Sequence, residues 1–422
     1  MTLIERHRAV LPNWLALYYA DPIEIVSGHG RRVTDANGKS YLDFFAGILT
    51  NALGYDVAEV GDAVRKQLDT GIMHTSTLYL IRAQVELAEK IAALSGIPDA
   101  KVFFTNSGTE ANETALMLAT QHRRSNQVLA MRNSYHGRAF ATVGVTGNRG
   151  WSASALSPVR VSYVHGGYRY RGPFAGLSDA DYIKACTEDL REVITTMTSG
   201  DVACMIAEPI QGVGGFCVPP DGLYGSFAEV LAEHGILFIS DEVQTGWGRT
   251  GEHFWGIGAH GVTPDMMTFA KGLGNGLAIG GVVARAEVMD CLNANSISTF
   301  GGNPVATVGA AAVLDYIADH DLQASAAELG DRLLAGLRAL EVPAVGDVRG
   351  KGLMVGIELI EPDGAPAPAK AVAVLEACRA RGLLVGKGGL HNNVIRLAPP
   401  MTVTADEVDE ALDALTGALG EL

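Results

Sequence analysis

Short apolar runs alternate with helical patterns through the middle of the chain. Lys101-Val102-Phe103-Phe104 reads as a strand, and residues 109–123 as a helix with Ala111, Ala115, Leu118 and Ala119 at helical spacing. Further strands are predicted at 128–131, 202–207, 236–240 and 266–270. Such alternation predicts an α/β fold, a mostly parallel sheet with helices on both faces. The two ends of the chain differ. Residues 32–43 form a predicted hairpin around Asn37-Gly38, a pair that supplies the positive φ angles of a tight turn. A long helical segment follows Pro304, strands are expected near 352–358 and 393–397, and the last helix opens with the capping box Thr404-Ala405-Asp406-Glu407. Residues 362–369, rich in proline and alanine, read as a surface loop. The expected division is an N-terminal segment of 1–55 packing with a small α+β domain of 306–422, beside a large sheet domain of 56–305.

Composition narrows the function classes. At 422 residues the chain is long for a single core, and its 48% hydrophobic and 19% charged content describe a globular protein with a large interior. A formal charge of −15 without any Lys/Arg run argues against nucleic-acid binding. Five cysteines, none in a CxxC pair, fit reduced thiols in a cytoplasmic protein better than a disulfide framework or a metal site, and no metal is expected. The first residues hold no apolar core of a signal peptide, and no uncharged apolar stretch is long enough to span a bilayer.

The candidate chemistry falls at the ends of predicted strands. Lys271 follows an apolar strand and opens the glycine-rich turn Lys271-Gly272-Leu273-Gly274. Burial lowers an amine's pKa and makes it a better nucleophile towards carbonyls, as a Schiff-base lysine requires. Asp241 ends another apolar strand, at the edge where open α/β sheets bind ligands. It reads either as a helix N-cap or as a carboxylate that keeps a heterocyclic nitrogen protonated. Ser107, Gly108 and Thr109 join a strand to a helix. They form either an ordinary cap or a phosphate seat built from free N–H groups and the helix dipole. Tyr135, in Ser134-Tyr135-His136-Gly137, is either a packed core residue or a ring that stacks on a flat ligand.

These motifs together resemble class III aminotransferases, which are pyridoxal-phosphate (PLP) enzymes. The resemblance rests on Asn106-Ser107-Gly108-Thr109-Glu110-Ala111-Asn112, Tyr135-His136-Gly137, Glu208-Pro209-Ile210-Gln211-Gly212, Asp241-Glu242-Val243-Gln244-Thr245-Gly246, Lys271-Gly272 and Thr299-Phe300-Gly301-Gly302-Asn303-Pro304. It implies fold type I, the aspartate-aminotransferase-like fold, and PLP as cofactor. Lys271 would carry the cofactor covalently and move the substrate proton, and Asp241 would pair with the pyridine nitrogen. Gln244 would bond the 3-hydroxyl, Tyr135 would stack on the ring, and Ser107, Gly108 and Thr109 would hold the phosphate. His136 joins the cofactor contacts through its motif. Glu208 would orient the Asp–Gln side of the pocket, unless it only stabilises its loop. Thr299 would reach the cofactor of a neighbouring subunit, giving a homodimer with shared active sites.

Substrate is the finer question. By the same resemblance Arg396 would grip a substrate carboxylate, and a planar guanidinium suits that task. Ornithine and 4-aminobutyrate enzymes place a glutamate against this arginine, where the present chain has Val213. The subgroup matched best is the mitochondrial-type alanine–glyoxylate aminotransferases, through Gly246-Trp247-Gly248-Arg249 and His253-Phe254-Trp255-Gly256 among other runs. The resulting expectation is a ping-pong transaminase moving an amino group from an amino acid to a 2-oxo acid such as pyruvate or glyoxylate. The alternatives are an ω-amino acid transaminase (4-aminobutyrate, ornithine or β-alanine type), a PLP aminomutase, or a cofactor-free binding scaffold. Gly54-Tyr55-Asp56-Val57 departs from the family's Gly-His-x-His-Pro run and is expected near the substrate mouth. Tyr18, Tyr19, Phe45 and Ile48 read either as packing residues or as further pocket candidates.

Overall fold

The chain's first strands, β1 (Ile25–His29), β2 (Arg32–Asp35) and β3 (Ser40–Asp43), form an antiparallel run in the computed structural model, which describes residues 1–154 and 156–422. The β2–β3 turn is the predicted Asn-Gly hairpin, with Gly38 at φ +82°.

The alternating middle of the chain becomes one seven-stranded sheet. Its strands are β4 (Ala100–Thr105), β5 (Gln127–Met131), β6 (Arg160–Val164), β7 (Cys204–Ala207), β8 (Leu237–Asp241), β9 (Met266–Phe269) and β10 (Gly280–Arg285). The order across the sheet is β4-β10-β9-β8-β7-β5-β6. Strands β6, β5, β7, β8 and β9 run parallel, and β10 runs antiparallel to both β9 and β4. Two reversals put β4 in the same direction as β9, so the C-terminal ends of β4, β5, β8 and β9 share one edge. Every residue of β5, β7, β8 and β9 is buried, which is why these strands read as unbroken apolar runs. β10 was not legible because Gly280-Gly281 reads as a continuation of the turn after Lys271. β6, less buried, escaped for want of an apolar run.

The helix Gly108–Arg123 packs on β9 and β10 through Ala111, Ala115, Leu118 and Ala119, the residues its spacing singles out, with Leu116 beside them. Burying a leucine of this kind contributes about 1.5–3 kcal/mol. Asn112 lies on the same buried face at 1% exposure, a polar group that demands partners.

The long helical segment expected after Pro304 consists of two helices, Pro304–Asp319 and Leu322–Arg338, separated by Asp321 at φ +47°. The expected loop at 362–369 is shorter than read: Pro366 bridges to Ile360, and Pro368 starts the helix Pro368–Ala380, where a missing N–H costs nothing. The remaining strands are β11 (Val345–Lys351), β12 (Met354–Leu359), β13 (Leu383–Leu384), β14 (Gly386–Gly388) and β15 (Val394–Leu397). β11, β12, β15 and β14 make an antiparallel sheet, while β13 pairs with β3, so the N-terminal hairpin is closed by a strand from the far end of the chain. The last helix carries the predicted Thr404–Glu407 capping box. Among the described residues no helix is long and apolar enough to cross a membrane, and all five cysteines are free.

Candidate active site

The shared edge of β4, β5, β8 and β9 walls a cavity of about 360 Å³. Lys271, Asp241, Ser107, Gly108, Thr109, Tyr135, His136, Glu208 and Gln244 all line it. Lys271 enters directly after β9, and its own backbone takes φ +46°. That left-handed conformation costs a non-glycine residue about 1 kcal/mol or more and persists only where packing enforces it. Among the described residues it is the one lysine on the cavity wall. Burial holds its amine down to about 8, against the attraction of Asp241 and Glu208 and with Arg396 adding to the fall.

Asp241 stands at the end of β8 and is almost fully buried. Its Oδ2 accepts from Asn112 Nδ2 at 2.7 Å and from His136 Nδ1 at 2.8 Å, and its Oδ1 accepts from the Val243 N–H at 3.1 Å. Glu208 follows β7. Its Oε1 accepts from the Tyr135 N–H and its Oε2 from the Gly212 N–H, each at 2.9 Å. Burial raises its carboxyl above the ordinary value, with His136 opposing and Asp241 adding to the rise. Gln244 lies against Gly212, where any side chain would meet its amide at 2.3 Å, and its Oε1 is buried without a partner among the described residues.

Ser107 caps the helix Gly108–Arg123, its hydroxyl accepting from the Glu110 N–H at 3.2 Å. The first N–H groups of that helix have no intrahelical acceptor and lie at the positive end of its dipole. Gly108 is confined by Val243, which a Cβ would meet at 2.9 Å. Tyr135 is half-buried, its ring edge-on to Trp151 at 5.6 Å between centroids.

Other expected residues lie outside the cavity of a single chain. Thr299 is exposed, and Ile48 is 45% exposed in a turn where Ala46, Gly47, Ile48 and Leu49 all have positive φ. Tyr19 packs under Arg379, 5.2 Å from its ring centroid, and burial raises its phenol. Arg396, in β15, is 2% exposed, with Nη1 donating to the Gly212 carbonyl at 3.2 Å and Nη2 to that of Lys387 at 3.0 Å. Tyr18 donates to the same Lys387 carbonyl and stacks on Phe45. None of residues 54–60 lines the cavity; Tyr55 instead donates to Asp43 Oδ2 at 2.6 Å and fills the space beside Gly28.

Several wall residues escaped the reading of the sequence: Thr50, Asn112 and the run Gly276-Leu277-Ala278-Ile279. The signal for Asn112 was present, a lone amide among alanines and leucines on a buried helix face. Arg138 is a further omission: exposed, two residues beyond His136, with its guanidinium 5.0 Å from the Trp14 ring centroid and its charge acting on the Tyr135 phenol.

PLP presents a phosphate, a ring nitrogen, a 3-hydroxyl and an aldehyde. The wall offers an open helix N-terminus, a fixed carboxylate, an amide with an unpartnered oxygen and a primary amine of lowered pKa. These residues fit the cofactor group by group.

The chain belongs to the class III aminotransferases: the family model described as Aminotransferase class-III matches residues 18–419. An Arabidopsis thaliana protein named alanine–glyoxylate aminotransferase 2 homolog 2, mitochondrial, is 39% identical over 100% of this chain and 87% of its own. An acetylornithine aminotransferase of Mycolicibacterium smegmatis is 39% identical over 99% of this chain and 98% of its own. Among solved structures, a PLP-bound amine transaminase from an uncultivated Pseudomonas species superposes with a TM-score of 0.91 at 30% identity, covering 98% of each chain. A phospholyase from Arthrobacter, in complex with phosphoethanolamine, superposes with a TM-score of 0.90 at 34% identity, covering 100% of each chain. The fold is thus that of the PLP-dependent transaminases, fold type I, and the cofactor is pyridoxal phosphate.

Proposed function

We propose that this aminotransferase takes its amino group from a small α-amino acid such as alanine and passes it to glyoxylate or pyruvate. The observation that carries the reading is the surroundings of Arg396. Its hydrogen bonds go to two backbone carbonyls, and Val213 is the residue that follows Gly212, whose carbonyl Arg396 holds. With no carboxylate within ion-pair distance of it among the described residues, the guanidinium has a full charge to offer a substrate carboxylate, and both oxygens can be bound in one plane. The name of the Arabidopsis relative points the same way.

When bound, PLP supplies an electron sink for the charge left at the substrate's α carbon. Lys271 holds the cofactor and moves the proton at that carbon, a task for which a lowered pKa suits its amine. Asp241 holds the ring nitrogen protonated, and Gln244 orients the 3-hydroxyl. Ser107, Gly108 and Thr109 seat the phosphate, and Tyr135 covers the ring. Glu208 ties the Tyr135 and Gly212 backbones together and so sets the cavity's width. Thr299, exposed in one chain, completes the site of a second copy in a cytoplasmic homodimer. Ile48 and Tyr18 border the substrate, Tyr19 supports Tyr18, and the chain divides into the segments 1–55, 56–305 and 306–422.

A second reading is favoured by Arg138. An exposed guanidinium near Tyr135 suits a donor whose carboxylate lies far from the reacting amine, as in ω-amino acids, and a relative is named for acetylornithine. A half-reaction screen separates the two. The holoenzyme is mixed with α-, β- and ω-amino acids and with phosphoethanolamine, and the cofactor's absorbance is followed. Alanine should convert the cofactor within seconds and yield pyruvate. Conversion by ω-amino acids alone would overturn the use made of Val213, and release of inorganic phosphate would turn the assignment to a lyase.

A further inference from the structure

We propose that Asn112 and Thr268 are positioning residues that fix the plane of the Asp241 carboxylate, an inference that rests on Asp241 being the partner of the cofactor's ring nitrogen. Asn112 sits on the buried face of the helix Gly108–Arg123, among Ala111, Ala115 and Leu116. An amide there is tolerated only if its polar atoms are all bonded, because each one left bare loses its hydration with nothing in exchange. All are bonded. Nδ2 donates to the His136 carbonyl at 2.8 Å and to Asp241 Oδ2 at 2.7 Å, and Oδ1 accepts from Thr268 Oγ1 at 2.6 Å.

The orientation of this amide follows from its neighbours. A carbonyl and a carboxylate both only accept, so the NH₂ group must face them and the oxygen must face Thr268. The Thr268 hydroxyl is then the donor that locks the arrangement. It is fully buried and cannot turn to water. Its place is set by the sheet, since Thr268 in β9 is the register partner of Asp241 in β8. Asp241 thus receives N–H groups from the helix through Asn112, from the loop after β5 through His136, and from its own turn through Val243. Three donors on three separate segments leave the carboxylate no freedom to rotate. The cavity meets one fixed face of it.

The test compares apoprotein variants by cofactor titration, thermal unfolding and the pH midpoint of the bound cofactor's absorbance. Asn112→Ala should raise the cofactor's Kd roughly tenfold, and Thr268→Val, nearly isosteric but without the donor, about threefold. Asn112→Asp should be worse than Asn112→Ala, because two carboxylates at hydrogen-bond distance cannot both ionise. The absorbance midpoint should move in all three. A purely structural role would lower the melting temperature and leave Kd within about twofold and the midpoint unmoved, which would overturn the inference. If Asn112→Ala fails to fold, Thr268→Val decides on the same criteria. Asp241→Asn separates the two layers: weakened binding there with normal binding in the Asn112 and Thr268 variants rejects only the positioning role, whereas normal binding in Asp241→Asn rejects the role of Asp241 and the inference with it.

Discussion

Asp241 and Arg396 are both buried and both ionisable, yet they are held by opposite kinds of partner. Asp241 is gripped by three N–H donors from a helix, a loop and a turn. Arg396 rests on two backbone carbonyls, Gly212 and Lys387, between the rings of Phe45 and Phe216, with its Nε unpartnered among the described residues. Its cross-strand neighbours on both sides, Gly356 and Gly386, carry no side chains. The first arrangement is rigid, as the proposed anchor of a cofactor that stays would need to be. The second leaves a cation whose carbonyl partners offer only partial charge, so an incoming carboxylate has a full opposite charge to contribute. On the proposed reading, the cofactor end is built before anything binds, and the substrate end is completed by what binds.

The strongest way to break this comparison is at Lys271, which the proposed mechanism uses at both ends. Lys271→Ala should lower turnover on the order of 10⁴-fold with every donor, and the cofactor should wash out on gel filtration. Retained turnover would remove the lysine from the chemistry. Next is Arg396→Ala. The substrate end should suffer alone, with KM for α-amino acids rising on the order of 10²-fold while turnover of an amine without a carboxylate changes little. Equal losses for both would make Arg396 a structural residue. At the cofactor end, Gly108→Ala places a Cβ 2.9 Å from Val243 at the proposed phosphate seat. Cofactor affinity should fall roughly tenfold, while KM measured at saturating cofactor stays unchanged.

The smallest effect is on stability. Lys271 titrates at about 8 in the folded chain, below its ordinary value near 10.4 in the unfolded one. Between those values the unfolded chain binds more protons, so apoprotein stability rises with pH across that window. Lys271→Met should therefore melt above wild-type apoprotein at pH 7, and the gap should close as pH climbs from about 8 to 10. A constant gap would mean that the amine is not the source of the penalty.

The cofactor end was far more legible than the substrate end. Lys271, Asp241, Ser107 and Tyr135 each terminate or follow an apolar run, and a shared sheet edge needs only strand direction to gather them. Arg396 and Thr299 stand in recognisable runs too, but their surroundings come from segments that the local pattern does not join to them. Tyr55, likewise, is bonded to Asp43 and packed beside Gly28, partners that the local pattern does not join to it.

The chain's own pattern determined five of the seven strands of the large sheet, the helix behind Ser107, the hairpin at Asn37-Gly38 and the lysine that ends a buried strand. Such features depend on residues within a turn or two, where backbone geometry and periodicity act. Only the tertiary structure decided that Asn112 faces Asp241, 129 residues away, and Thr268, 156 residues away. It also decided that Arg396 rests on carbonyls. Those partners follow from strand order and register, which arise from packing the whole chain at once.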